Sequence, residues 1–130
     1  MKTILFVCIH NAGRSQIAEA FFNQLARKKA RALSAGTQPA DTINPVVVEA
    51  MREIGIDMSH NKPKAVTFEM MEKADRVVTM GCSAEAVCPA TLVQTEDWTL
   101  EDPEGKTIDQ VRELRDEIKS RVLQLLKEIA

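Results

Sequence analysis

An α/β fold built on a parallel sheet is predicted for this chain from three features of its sequence. It opens on Lys2 to Cys8, a β-branched and aromatic run suited to a strand buried on both faces. A polar loop, His10 to Ser15, follows at once and leads into Ile17, Ala18, Phe21, Phe22, Leu25 and Ala26, an apolar stripe at helical spacing. The chain closes on a second stripe, Ile108, Val111, Leu114, Ile118, Val122, Leu125 and Ile129, long enough for a helix that packs along the whole core. Strand, loop and helix in that order are the opening unit of an α/β domain.

Between these ends the elements follow in order. A weak second strand spans Arg31 to Ser34 and is ended by Gly36 and the turn-forming residues Thr37 to Asp41. Asn44 and Pro45 supply an N-cap and a first-turn proline, and Val47, Met51 and Ile54 give the next helix its apolar face until Gly55 stops it. The third strand runs from Arg76 to Met80, and Leu92 with Val93 suggests a short fourth, so the sheet has four strands. A polar loop, Glu96 to Lys106, then leads to Thr107 and Gln110, the pair of a capping box that starts the last helix.

The chain has 130 residues, 45% of them apolar, which suits one domain covering 1–130. Its 17 basic and 19 acidic residues leave a net charge of -2, without the basic footprint of a nucleic-acid binder. The longest apolar run, Ile4 to Ile9, is far short of the ~20 residues that cross a bilayer, and no secretory cleavage pattern follows it. A soluble, monomeric, cytoplasmic protein is expected. Three cysteines, Cys8, Cys82 and Cys88, are too few for a disulfide scaffold, so their thiols are either reactive or buried. His10 and His60 share no metal-binding spacing with them, and no resident metal is predicted.

The segment Cys8, Ile9, His10, Asn11, Ala12, Gly13, Arg14, Ser15 lies where a buried strand hands over to a helix. A loop of that length can turn successive amides inward as a nest, and the helix after it adds free N–H groups and the positive end of its dipole. Together they make a cradle for a tetrahedral oxyanion. Arg14 can grip two oxygens with a planar fork, where a lysine offers a point charge. Gly13 eases the bend. The field that draws an oxyanion also favours the ionised thiol, so Cys8 is the expected nucleophile, with Ser15 placed to donate to its sulfur and Asn11 to brace the loop. A nucleotide-binding loop is excluded, since Gly-x-Gly-x-x-Gly does not occur and Gly105-Lys106-Thr107 lacks the glycine that a P-loop places five residues earlier, where Leu100 stands.

The stretch Phe6 to Gln16 resembles the catalytic loop of arsenate reductases built on the low-molecular-weight protein tyrosine phosphatase fold. The likeness continues through Leu33 to Gly36, Val77 to Met80, Cys88-Pro89, Glu101 to Pro103 and Val111 to Ile118. It implies a three-layer α/β/α arrangement, arsenate as substrate, no tightly bound cofactor and thioredoxin as external reductant. It also implies a relay. Cys8 attacks arsenate held by the loop and Arg14 while Asp102 acts as general acid, Cys82 attacks the Cys8 adduct, and Cys88 attacks Cys82 to leave a Cys82–Cys88 disulfide for thioredoxin. Glu101 and Asp97 are the other candidate acids. If the first and third strands are neighbours, Cys8 and Cys82 end on one sheet edge and could meet. Cys82 and Cys88 could not pair within a continuous helix, which would hold them about 9 Å apart.

The chain departs from that pattern in places. Five residues separate Cys82 from Cys88 where relatives have six, His10 replaces a glycine and Gly13 a third loop cysteine. Some members hold a potassium ion near the loop; Asn11, Glu19 and Ser34 match that site, but Lys64 stands where its carboxylate would be, and the ion is left out of the prediction. The competing activity is hydrolysis of phosphate monoesters through a cysteinyl-phosphate by a tyrosine phosphatase. The absence of tyrosine and the glutamate, Glu104, after Asp102-Pro103 leave an aryl phosphate without an aromatic slot.

Overall fold

The structure, a computed structural model, describes residues 2–80 and 94–129. Its four-stranded sheet is all parallel, in the order β2-β1-β3-β4, with β1 at Lys2–Cys8, β2 at Ala30–Gly36, β3 at Arg76–Thr79 and β4 at Gln94–Asp97. The helices are α1 (Arg14–Ala26), α2 (Pro45–Arg52), α3 (Phe68–Lys73) and α4 (Ile108–Ile129).

Side-chain alternation along β1 builds the layers. Ile4, Phe6 and Cys8, with Val78 of β3, face the larger core, where they meet Ile17, Phe22, Val47, Met51 and Ile118 from α1, α2 and α4. Leu5 and Val7, with Val77 and Ala35, face the opposite side and pack under Met70 and Met71 of α3. Helices on both faces of a parallel sheet make the predicted three-layer α/β/α fold. The same alternation puts Cys8 on the α1 side. Phe6 anchors the larger core, its ring centroid 6.0 Å from that of Phe22 and 5.6 Å from that of Trp98.

Local chemistry sets most boundaries. The Asn44 side chain accepts the Val46 N–H at 2.9 Å ahead of Pro45. Thr107 and Gln110 bond reciprocally, with the Thr107 N–H donating to Gln110 Oε1 at 3.0 Å and the Gln110 N–H to Thr107 Oγ1 at 3.3 Å.

Several boundaries differ from those read in the sequence. β2 is longer because it pairs with β1 over seven residues, and Asn23 of α1 bonds both the N–H and the carbonyl of Ala32. β3 stops at Thr79 rather than Met80, and α2 ends at Arg52, two residues before Ile54. The expected strand at Leu92 and Val93 lies outside the described residues; the fourth strand they contain takes Glu96 and Asp97 from the expected loop. Polar residues are accommodated at this outer position: Glu96 pairs with Arg76 at 3.0 Å and accepts the Trp98 indole N–H at 3.0 Å. α3 was not anticipated because none of its residues is buried and a single capped turn and a half carries no apolar stripe. Among the described residues, no helix is long and apolar enough to cross a membrane.

Candidate active site

Cys8 ends β1 and Arg14 begins α1, so the loop between them is held at both ends by the core. Four of its carbonyls are bonded to the next segment: those of Cys8, Ile9, His10 and Ala12 accept the N–H groups of Thr37, Gln38, Ala40 and Asn44 at 3.1, 2.8, 3.0 and 2.9 Å. No peptide among the described residues is cis, and in a trans peptide the following N–H points opposite to the carbonyl. Outward carbonyls therefore turn the amides of Ile9, His10, Asn11 and Gly13 to the inner side. The Asn11 N–H lies 3.2 Å from Cys8 Sγ, as that geometry requires. Asn11 reaches it with φ of 51°, a left-handed conformation that asparagine tolerates better than most residues.

A chain of buried side chains then orients the proton facing the sulfur. Asn11 Oδ1 accepts from Gln16 Nε2 at 3.0 Å and from the Lys64 N–H at 2.8 Å, which fixes the amide so that Nδ2 donates to Ser15 Oγ at 2.7 Å. Ser15 Oγ lies 2.9 Å from Cys8 Sγ, and because an ionised sulfur can only accept, the hydroxyl donates to the thiolate form. Gln16 is held in turn, donating to the Lys62 carbonyl at 3.2 Å and accepting from Asn61 at 3.3 Å. Asn11, Ser15 and Gln16 are fully buried. Sequence reasoning found Asn11 and Ser15 but missed Gln16 and Asn61, whose connection over 45 residues leaves no local signature.

Arg14 is 4% exposed at the first position of α1, where the helix dipole already places positive charge. Its Nη1 donates to the Leu100 carbonyl at 3.2 Å, and among the described residues its ion-pair partner is Asp102 at 3.7 Å. A buried cation at the positive end of a helix is poorly balanced by one distant, half-exposed carboxylate, and an anion in the adjoining cavity would complete the balance. That cavity, about 450 Å³, is lined by Cys8, His10, Ala12, Gly13 and Arg14 on one side and Asp102 to Gly105 on the other. Of the three candidate acids, Asp102 is the one that lines it. Asp97 instead accepts from Thr79 Oγ1 at 2.7 Å, and Glu101 pairs with Lys106 at 3.3 Å in solvent. Gly13 has a further reason to be small: a Cβ there would lie 2.4 Å from Pro103 Cγ, so the loop and the Asp102 segment meet through a missing side chain. Cys82 and Cys88 lie outside the described residues; the parallel pairing of β1 with β3, Val7 opposite Thr79, is the neighbour relation the sequence required.

The family model for low molecular weight phosphotyrosine protein phosphatase matches residues 3–130. The chain belongs to that phosphatase family. Within this family, it is 38% identical to an arsenate reductase of Brevibacillus brevis over 123 residues, 93% of this chain and 91% of that one. The solved thioredoxin-dependent arsenate reductase of Corynebacterium glutamicum superposes with a TM-score of 0.86 at 38% identity over 99% of this chain, which spans only 62% of that longer protein. The solved YwlE arginine phosphatase, a mutant with a phosphorylated active-site serine, matches at a TM-score of 0.85 and 29% identity over 98% of this phosphatase-family chain and 95% of its own.

Behind the loop, Glu19 accepts from Ser34 Oγ at 2.9 Å and lies 4.0 Å from Lys64 Nζ. Burial raises its carboxyl above the ordinary 4.5, with Lys64 and Ser34 opposing the shift. The folded state thus holds that proton more tightly than the unfolded chain, so this contribution to stability is full below pH 4.5 and is lost as pH rises through the raised value. Glu19→Gln keeps an oxygen for Ser34 and removes the charge. The variant is expected to lose less stability than the parent between pH 4.5 and about pH 7, read as the shift in urea midpoint.

Proposed function

We propose that this protein reduces arsenate to arsenite by a cysteine relay that thioredoxin recycles. The observation that carries the reading is Cys8 Sγ held by Ser15 Oγ and the Asn11 N–H at the floor of a cavity whose other charged wall is Arg14 and Asp102. The arsenate reductase names of the relatives and the thioredoxin dependence of the Corynebacterium neighbour support it.

Arsenate enters with its oxygens on the inward amides of the loop, from Ile9 to Ser15, and on the Arg14 fork. The Cys8 thiolate attacks arsenic, and an oxygen leaves as water after taking a proton from Asp102. Cys82 then attacks the Cys8 sulfur. The sulfur–arsenic bond breaks with its electron pair left on arsenic, so arsenate has gained two electrons and departs as arsenite while a Cys8–Cys82 disulfide forms. Cys88 attacks Cys82, freeing Cys8 and leaving Cys82–Cys88 for thioredoxin, which returns the two electrons. The reaction belongs to 1–130 acting as one domain and a monomer, in the cytoplasm, where the thiol pool is reducing. No tightly bound cofactor is needed. Lys64 brings to Glu19 the positive charge that potassium supplies in some relatives.

The test is the trapped intermediate. After a single turnover with arsenate, Cys88→Ser is expected to accumulate a Cys8–Cys82 disulfide, identified by peptide mapping under non-reducing conditions. A variant that traps no disulfide overturns the order of the relay. Undiminished arsenate turnover in Cys82→Ser and Cys88→Ser would overturn the relay, and turnover of phosphate monoesters by a parent that reduces no arsenate would favour the phosphatase reading, which the arginine phosphatase neighbour keeps in view.

A further inference from the structure

The mouth of the same cavity carries a second set of donors. One ligand atom each from His10, Asp102 and Glu104 lies within 4.8 Å of the others. The His10 ring is fixed through Nδ1, which sits 3.1 Å from the Gln38 carbonyl oxygen. A carbonyl can only accept, so Nδ1 carries the hydrogen and Nε2 is left with its lone pair. Ligating histidines are commonly oriented in this way, by a carbonyl on the other ring nitrogen. Asp102 is steadied by the Glu104 N–H, which donates to Oδ1 at 3.0 Å. Glu104 is exposed, and its free side chain can close the remaining distance.

We propose that His10, Asp102 and Glu104 bind a divalent cation of the zinc class at the mouth of the cavity. An imidazole nitrogen beside two carboxylates suits zinc and its transition-metal neighbours, whereas calcium and magnesium favour all-oxygen sites. Two carboxylates offset the ion's charge, with Asp102 shared between it and Arg14 at 3.7 Å, and three protein ligands leave a fourth position for water. The sequence hides the set because His10 is separated from the two acids by most of the chain. A bound ion engages the carboxylate that the proposed reaction uses as its acid, so it acts as an inhibitor; that consequence rests on the arsenate reductase reading, and the binding itself does not.

The experiment titrates cobalt(II) into the full reduced chain, follows its visible absorption, and then displaces it with zinc. Nitrogen and oxygen ligation gives a d–d spectrum without the intense sulfur-to-metal charge transfer that a thiolate produces. A single equivalent with such a spectrum is expected, with affinity falling about ten-fold or more in both His10→Ala and Glu104→Gln. Glu104→Gln is also expected to lose its inhibition by zinc, read against the variant's own uninhibited turnover. Affinities within about two-fold of the parent in both variants, or a spectrum dominated by thiolate charge transfer, would overturn the site. Ligand-dependent binding in a parent that reduces no arsenate would sink the reductase reading and leave the metal site standing.

Discussion

Serine in place of Cys8 is expected to lower arsenate turnover by on the order of 10⁴-fold or more while leaving oxyanion binding within a few-fold of the parent. The two halves of this expectation come from different parts of the loop. Binding belongs to the amides turned inward by the bonds to Thr37, Gln38, Ala40 and Asn44, and to Arg14, none of which the substitution touches. Chemistry belongs to the sulfur. A serine hydroxyl at this position is a far weaker nucleophile near neutral pH, and its oxygen cannot become one half of a disulfide. Turnover coupled to thioredoxin, its reductase and NADPH reads the first half; calorimetric titration with phosphate reads the second. A variant that keeps a tenth of the parent's turnover, or loses phosphate binding altogether, would contradict this division of labour.

Phe6→Ala should cost about 3–5 kcal/mol of folding stability, among the largest losses any single truncation can cause here. Phe6 has no solvent exposure and joins three elements, its ring contacting Phe22 of α1 and Trp98 just after β4. The site would feel the same change, because Phe6 and Cys8 point to one face of β1, and the strand that loses its anchor is the strand that presents the nucleophile. Urea unfolding with an unchanged slope would measure the loss; a cost below about 1 kcal/mol would mean that the surrounding core refills the space.

Much of this architecture was legible in the sequence because a few residues act alone. The run Lys2 to Cys8, the stripe from Ile17 to Ala26 and the Thr107–Gln110 box state their structure within a short window, and each appears with bounds close to those expected. A fourth strand was legible from Leu92 and Val93, but its residues Gln94–Asp97 and the whole of α3 were not, for the same physical reason: one is a polar outer segment and the other a short exposed helix, and neither displays an apolar period. At the candidate site, the nest loop and Arg14 follow from local order, strand before loop before helix. The support of Asn11 by Gln16 and the Lys64 amide, and the approach of Pro103 to Gly13, join distant segments, and no spacing rule connects them.

The contact at Gly13 also constrains how such a protein can drift. Any lineage that enlarges residue 13 must displace the proline ring opposite it, and the aspartate attached to that ring moves with it. Two neighbourhoods almost ninety positions apart are therefore obliged to change as a pair. The separation between acid and nucleophile is set in part by an atom that is not there.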